Sequence, residues 1–227
     1  MSAAFSPSGT IYGTLLNFRA EFEGLALQMP DAPYKGAPKA PVLYVKPANT
    51  WSASGASITV PARVPQVEVG ATMGMVFGPF RQSGHANAAM PSVASVVLMN
   101  DLSIPHASFF RPPVKFKCLD GFLGMGASVL SAEQAGDPAL FVLEVRINGE
   151  LRQRLDFSTM LRPAAQLIAD VREFMTLHPG DVLSLGCDVA ADGKRPRALV
   201  GDVIEISAPC LPGLGKLTNT LVAEAQP

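Results

Sequence analysis

The chain has 227 residues, of which 48% are hydrophobic and 16% are charged. This length is sufficient to bury a sizeable core. The 18 lysines and arginines nearly balance the 19 aspartates and glutamates, giving a formal net charge of −1, which argues against nucleic acid or an anionic membrane as a partner.

The start of the chain predicts a soluble, cytoplasmic protein. The first ten residues contain neither the basic nor the apolar region of a secretory signal. No apolar run reaches the roughly 18 residues that a membrane helix needs. Cys118, Cys187 and Cys210 lie too far apart for a disulfide framework or a zinc site, so we expect reduced thiols.

Twenty glycines and twenty prolines divide the chain into short segments, a pattern that favours strands joined by turns. We expect one domain over residues 1–227, with residues 1–50 as an irregular, proline-rich flank. Seven apolar segments rich in β-branched residues predict strands, which are, in chain order, Val42–Lys46, Gln66–Phe77, Val93–Met99, Leu140–Ile147, Val182–Gly186, Leu199–Ile206 and Lys216–Ala223.

Two further signals define the fold class. Asn148-Gly149 lies between alternating segments and predicts a two-residue hairpin turn. Helical periodicity predicts one principal helix between Thr159 and Thr176, with Pro163 tolerated in its first turn. A weaker helix is predicted over Ala86–Met90, before Pro91. The chain is therefore expected to be mainly β, of the α+β class.

Ionisable groups are concentrated in the segment Asn100–Gly124, which leaves an apolar strand and is interrupted by prolines. Its charged members are Asp101, Arg111, Lys115, Lys117 and Asp120. Loops that leave strands often carry functional residues. Lys46 also ends a predicted strand, so the strand ends could place it on the same rim as this segment.

Lysines and carboxylates on a shared rim suit a polyanionic oxo acid. The lysines would neutralise the carboxylates of the substrate, while a carboxylate-held Mg²⁺ would polarise the oxo group. Lys46, Asp101, Lys117 and Asp120 form such a set if the strands bring them together. The alternative is that these residues are ordinary surface charges at strand ends.

Eight ordered blocks of the sequence resemble the fumarylacetoacetate hydrolase superfamily. They are Leu16-Asn17-Phe18, Tyr34–Lys39, Tyr44–Thr50, Asn100-Asp101, Phe109–Pro112, Lys117–Phe122, Asn148-Gly149 and Phe174–Asp181. The Tyr-Lys-x-x-Pro-Lys stretch is most similar to the amino-terminal half, or separately encoded first subunit, of the decarboxylase/isomerases of 4-hydroxyphenylacetate (homoprotocatechuate) catabolism.

The resemblance implies a mixed β-roll or sandwich with few helices, and chemistry on 2-oxo or 1,3-dicarbonyl acids held by a divalent metal, usually Mg²⁺. The implied reaction is decarboxylation of 5-oxopent-3-ene-1,2,5-tricarboxylate to 2-hydroxyhepta-2,4-diene-1,7-dioate, followed by isomerisation. The implied partners are a small 2-oxo di- or tricarboxylic acid and either a second copy of the chain or a metal-bearing paralogous subunit.

Site residues follow from the matching blocks. Asp101 matches a metal ligand, and Lys117 matches a lysine that binds substrate and serves catalysis. Asp120 matches the acid of the Lys-x-x-Asp-Gly motif and is a catalytic candidate. Lys46 and Arg111 are expected to bind substrate.

Other family positions carry different residues. The Glu-x-Glu metal pair falls on Gly70 and Thr72, which supply no carboxylate. Where catalytic members have a His and a Glu, this chain has Glu21, a further catalytic candidate, and Gly24. Glu68 lies on the same predicted strand face as Gly70 and offers a substitute metal ligand, although an exposed strand carboxylate is the simpler interpretation.

Three hypotheses remain open. The chain is a subunit of the decarboxylase/isomerase, or a family member that has lost its metal centre and acts as a structural partner, or a hydrolase of acylpyruvate type. The missing carboxylates weigh most heavily against the hydrolase, because one carboxylate holds Mg²⁺ only weakly.

Overall fold

A computed structural model describes residues 4–82, 89–106, 108, 110 and 113–225. Within these ranges the strands are β1 (Ile11–Leu15), β2 (Val42–Lys46), β3 (Trp51–Ala53), β4 (Ser57–Val60), β5 (Val67–Glu68), β6 (Ala71–Gln82), β7 (Ala89–Asp101), β8 (Leu123–Ser131), β9 (Val142–Ile147), β10 (Glu150–Asp156), β11 (Val182–Ser184), β12 (Arg197–Ala198), β13 (Val203–Ser207) and β14 (Lys216–Ala223). The α-helices are α1 (Arg19–Ala26), α2 (Val114–Lys117), α3 (Ala132–Ala135) and α4 (Ala164–Arg172).

Two mixed sheets form the body of the molecule. A seven-stranded sheet has the order β2-β1-β11-β6-β7-β8-β3, and a five-stranded sheet has the order β10-β9-β13-β14-β4. A small two-stranded sheet joins β5 to β12. Most pairs are antiparallel, but β1 runs parallel to β11, β3 to β8 and β4 to β14.

The main hydrophobic core contains residues from both large sheets. Met73 and Leu98 come from β6 and β7 of the larger sheet, and Val145 and Leu217 come from β9 and β14 of the smaller one; all four are fully or almost fully buried. Side chains on successive strand residues point to opposite faces, so each sheet presents one apolar face to this core.

The predicted fold class is confirmed, since the chain is mainly β with few helices. The hairpin between β9 and β10 is also confirmed, and Asn148 and Gly149 both have the positive φ that a type I′ turn requires, at 53° and 82°. Each of the seven predicted strands coincides with an observed strand, although Gln66–Phe77 is divided at Gly70 into β5 and β6.

Other predicted boundaries were wrong. The helix predicted over residues 159–176 is confined to Ala164–Arg172, because Met160 forms a β-bridge with Phe18 and the helix begins only after Pro163. The weak helix predicted over Ala86–Met90 is contradicted at Ala89 and Met90, which continue β7 opposite Gln82 and Arg81; its first three residues lie outside the described ranges.

The described part of the amino-terminal flank, residues 4–50, is more regular than expected. It contains β1, α1 and β2, and β1 lies between β2 and β11 within the larger sheet. The division into a single domain stays a prediction. In the described part of the chain, no helix combines the length and apolar character that crossing a membrane requires.

Candidate functional site

Lys46, Asp101 and Lys117 meet in the interior of the protein. Lys46 is the last residue of β2, Asp101 is the last residue of β7, and Lys117 ends α2. The two lysine Nζ atoms lie 2.9 and 2.7 Å from the two carboxylate oxygens of Asp101, and all three side chains are at most 3% exposed. Three members of the predicted set of four, Lys46, Asp101 and Lys117, therefore meet in the structure.

The remaining polar contacts close this cluster. The Tyr44 hydroxyl donates a short hydrogen bond to Asp101 Oδ2. Lys46 Nζ donates to the carbonyl oxygens of Lys117 and Phe122. Lys117 Nζ lies 5.0 Å from the centroid of the Tyr44 ring, an additional cation–π contact. Asp101 Oδ2 thus accepts from Tyr44 and Lys117, whereas Oδ1 faces the Lys46 ammonium as an ion pair without a hydrogen bond among the described residues.

Burial and charge act in opposite directions on these groups. Burial by itself would raise the pKa of Asp101, but the two adjacent ammonium groups outweigh it and hold that pKa well below its usual range. Burial lowers the pKa of Lys46 and raises that of Tyr44. Asp101 is therefore an ionised carboxylate already matched by two cations.

These residues do not fit a bound Mg²⁺ ion. Each oxygen of Asp101 already faces a lysine ammonium, and a cation placed there would be repelled by both. Among the described residues, no group of three or more His, Cys, Asp or Glu side chains could hold a metal ion. Mg²⁺ prefers several oxygen ligands in near-octahedral geometry, and the cluster does not supply them.

The two positions that match the family's Glu-x-Glu pair, Gly70 and Thr72, also supply no carboxylate for a metal ion. A Cβ atom at Gly70 would lie 2.3 Å from the carbonyl oxygen of Asp101 and 3.1 Å from Cys187 Sγ, so the space for a side chain is already filled. Thr72 is fully buried, and its hydroxyl donates to the carbonyl oxygen of Gly186. Neither position offers an acidic oxygen.

Glu21 is a buried carboxylate on α1. Its Oε2 accepts a 2.7 Å hydrogen bond from the backbone N–H of Leu16, and its Oε1 accepts a short one from Arg195 Nη2. Burial is the largest influence on Glu21 and raises its pKa, although Arg195 opposes this effect.

Arg195 is the partner that the sequence did not reveal. It lies in the segment between β11 and β12 and is only 7% exposed. Burial opposes its charge, but Glu21 is the strongest of several groups that stabilise the guanidinium and raise its pKa. Cys187, Tyr44 and Asp101 also interact electrostatically with Arg195, so the Glu21–Arg195 pair belongs to the same polar interior as the lysine cluster.

A cavity of about 490 Å³ opens beside the Glu21–Arg195 pair. Its lining includes Glu21, Gln28, Glu68, His106, Lys194 and Arg195. The imidazole of His106 stacks on the ring of Phe116, with 4.6 Å between centroids, and burial lowers the pKa of this histidine. Glu68 Oε1 lies 3.4 Å from Arg197 Nη2. Glu68 thus has its own cation and does not join Asp101 in a described metal group.

The two remaining candidate residues are Asp120 and Arg111. Asp120 is exposed, and its carboxylate accepts a 2.6 Å hydrogen bond from Asn49 Nδ2. The structure therefore does not bring it into the lysine cluster. Arg111 lies outside the described residues, so its expected contact with substrate stays a prediction.

Sequence signals for the missed residues were present but weak. Tyr44 and Lys46 are two residues apart on β2, and that spacing places both side chains on one face of the strand. Lys194-Arg195-Pro196-Arg197 is a basic run in a chain with few charges. Such a run is usually a solvated loop, and only the tertiary structure shows Arg195 turned inward.

Comparisons with known proteins identify the family of the chain. A family model described as fumarylacetoacetate (FAA) hydrolase C-terminal matches residues 10–222. A 4-hydroxyphenylacetate degradation bifunctional isomerase/decarboxylase from Salmonella dublin is 33% identical over 216 residues, which are 95% of this chain and 48% of the relative. A homoprotocatechuate catabolism bifunctional isomerase/decarboxylase from Escherichia coli is 32% identical, with 96% and 48% covered. The chain thus spans about half the length of these curated relatives.

Solved structures show the same fold. A 5-carboxymethyl-2-hydroxymuconate delta-isomerase from Mycobacterium smegmatis superposes with a TM-score of 0.71 at 24% identity, covering 99% of this chain and 82% of the other. A maleylpyruvate hydrolase from Sphingobium sp. SYK-6, solved in complex with manganese(II) ion and pyruvate, has a TM-score of 0.68 at 18% identity, with 95% and 71% covered.

Proposed function

Because the chain belongs to the fumarylacetoacetate hydrolase family, we propose that it is a subunit of a cytoplasmic decarboxylase/isomerase of 4-hydroxyphenylacetate catabolism. The substrate is 5-oxopent-3-ene-1,2,5-tricarboxylate, whose decarboxylation gives 2-hydroxyhepta-2,4-diene-1,7-dioate, and the second reaction isomerises that product. The relatives that support this substrate are bifunctional isomerase/decarboxylases, and this chain matches 48% of their length.

We infer that the chain works beside a homologous, metal-bearing subunit. Loss of CO₂ leaves negative charge that passes through the conjugated chain to the 2-oxo oxygen, and a cation near that oxygen stabilises the transition state. The observation that carries this proposal is the pairing of Asp101 with Lys46 and Lys117, which places an ammonium beside each oxygen of the family's aspartate, where a metal ion would be repelled. The half-length match supports pairing of two homologous units.

The pairing of Asp101 with two lysines is also consistent with a second role, in which the chain supports an active partner without binding substrate. An acylpyruvate-type hydrolase is the weakest of the three hypotheses, because Gly70 and Thr72 do not supply the metal carboxylates that it would use. The first two roles differ in one measurable property, whether this chain itself binds the substrate.

Turnover of the tricarboxylate tests the proposal. CO₂ release and formation of the dienedioate should be measured with the full chain alone, with a metal-bearing partner subunit alone, and with the mixture. We expect the mixture to exceed both separate reactions. Activity of the chain alone would refute dependence on a partner, equal rates for the partner and the mixture would show that the chain contributes nothing to this turnover, and inactivity in all three would exclude this substrate.

A further inference from the structure

The cavity beside α1 has the size and lining of a ligand site. Its volume of about 490 Å³ falls in the range typical of small-molecule pockets. One side is formed by α1 and Gln28, and the other by the segment that carries Lys194 and Arg195. The Lys46–Asp101–Lys117 cluster does not line it.

Arg195 combines burial with spare hydrogen-bonding capacity. A guanidinium has five N–H donors and no acceptor, and it stays charged in proteins. Within the described part of the chain, the hydrogen bonds of this guanidinium go to Glu21 alone. Glu21 therefore anchors one side of the group. Arg195 lines the cavity beside α1 and also a neighbouring cavity, so its remaining N–H donors lie at the border of open space.

The charges around the cavity favour an anion over a metal ion. Both carboxylates of the lining already have cationic partners, Glu21 with Arg195 and Glu68 with Arg197. Lys194 adds a further positive charge. His106 adds little, because burial lowers its pKa and favours the neutral imidazole. A divalent cation would find few free acceptors, whereas a carboxylate would meet unused donors.

We propose that Arg195 is the built-in cation of this cavity, and that the cavity binds a small carboxylate anion without a divalent metal ion. A guanidinium matches a carboxylate through two parallel N–H···O bonds, which gives both strength and orientation. Glu21 acts as the positioning residue, because its bonds to Leu16 and Arg195 hold the guanidinium against α1. This inference concerns binding by the chain alone and does not depend on the proposed reaction.

Calorimetric titration with malonate tests the inference on the full chain. The titration should be run in buffer stripped of metal with a chelating resin and again with Mg²⁺ added. We expect saturable binding with the same Kd in both buffers, and no binding of uncharged malonamide. Arg195→Gln should weaken malonate binding at least tenfold, since it removes the charge and the paired donors.

Arg195→Gln also leaves Glu21 buried without its cation, so a second variant is needed. In Glu21→Gln/Arg195→Gln both charges are removed together, and the fold is expected to persist while binding is lost. Arg152→Gln is the matched control, because this side chain is 52% exposed and lines a neighbouring cavity that Arg195 also borders, so the variant separates an anion in that cavity from one in the cavity beside α1. It should bind malonate as the wild type does.

Side-chain NMR of the wild type provides a measurement that needs no variant. The Arg195 Nε–H resonance should shift on addition of malonate in metal-free buffer. The inference is overturned by binding that requires Mg²⁺, by undiminished binding in the folded double variant, or by an Arg195 resonance that does not move. Failure of the tricarboxylate turnover assay would leave these binding results unaffected.

Discussion

The Lys46–Asp101–Lys117 cluster and the Glu21–Arg195 pair are both buried ionic groups, but they differ in what they leave unsatisfied. In the cluster, the ammonium of Lys46 also donates to two backbone carbonyls, and Asp101 accepts from Tyr44 as well as from Lys117. In the pair, the guanidinium has donors left over and lines a cavity. A buried charged group is available to a ligand only where some of its donors or acceptors have no partner within the protein.

This difference predicts that the cluster contributes mainly to stability and the pair mainly to binding. Removing one member of a buried ionic group leaves the remaining charge buried without compensation, which costs about 3–5 kcal/mol in measured cases. Substitutions in the cluster should therefore mainly lower the free energy of unfolding, and substitutions in the Glu21–Arg195 pair should mainly weaken ligand binding.

The largest expected effect follows from Lys117→Met. This change leaves Asp101 with one ammonium instead of two, and the free energy of unfolding should fall by about 3 kcal/mol in denaturant titrations. Lys115→Met is the control on the same helix, because Lys115 is exposed. It should change stability by no more than about 0.5 kcal/mol. Similar losses for the two variants would show that the cluster is not a stabilising unit.

Gly70→Ala tests how firmly the space beside Asp101 is filled. The new Cβ would lie 2.3 Å from a backbone carbonyl oxygen, which cannot move aside as a flexible side chain can. We expect a loss of about 2 kcal/mol. Gly24→Ala is the matched control, since a Cβ there meets nothing within 4 Å and α1 should gain about 0.5–1 kcal/mol. If Gly70→Ala is tolerated as well as Gly24→Ala, the filled-space explanation is wrong.

A double-mutant cycle on Glu21 and Arg195 measures the coupling free energy between these two side chains. Glu21→Gln and Arg195→Gln, separately and together, should give a coupling free energy of about 2 kcal/mol, because the pair is shielded from solvent. The exposed pair of Glu150 and Arg152 serves for comparison and should give about 0.5 kcal/mol or less. Equal coupling in the two cycles would contradict the buried arrangement.

The pH dependence of Asp101→Asn provides the most specific effect. The folded pKa of Asp101 lies below its usual value, so its stabilisation is present above about pH 4 and is lost as the pH falls toward the folded pKa. The difference in unfolding free energy between wild type and variant should stay constant from pH 7 to pH 5. Below pH 4 it should shrink by at most about 1.4 kcal/mol per pH unit. A constant difference down to pH 2 would show that Asp101 is not charge-stabilised.

The sequence offered a set of four residues, Lys46, Asp101, Lys117 and Asp120, because two of them end predicted strands and the surrounding blocks resemble a known family. The structure brings the first three together and leaves Asp120 outside. The sequence did not predict that Lys46 would bind the carbonyls of Lys117 and Phe122, since those contacts join residues 71 and 76 positions apart. Periodicity reports which face of a strand is apolar. It does not report which backbone carbonyls a side chain will reach.

The Glu21–Arg195 pair was beyond prediction for the same reason. Its members are 174 positions apart, and Arg195 lies in an irregular segment with no repeating pattern. The strand β1 was not predicted from the sequence for a similar reason. It lies in a proline-rich region, and its place in the sheet depends on pairing with β2 and with the distant β11.

The central claim is that the described ionic groups of this chain leave no carboxylate set for a divalent metal. Titration of the purified full chain with Mn²⁺ at pH 7, followed by electron paramagnetic resonance of the free ion, tests it directly. We expect no saturable Mn²⁺ site below millimolar concentration in the absence of other ligands. One site per chain with a micromolar Kd would contradict it.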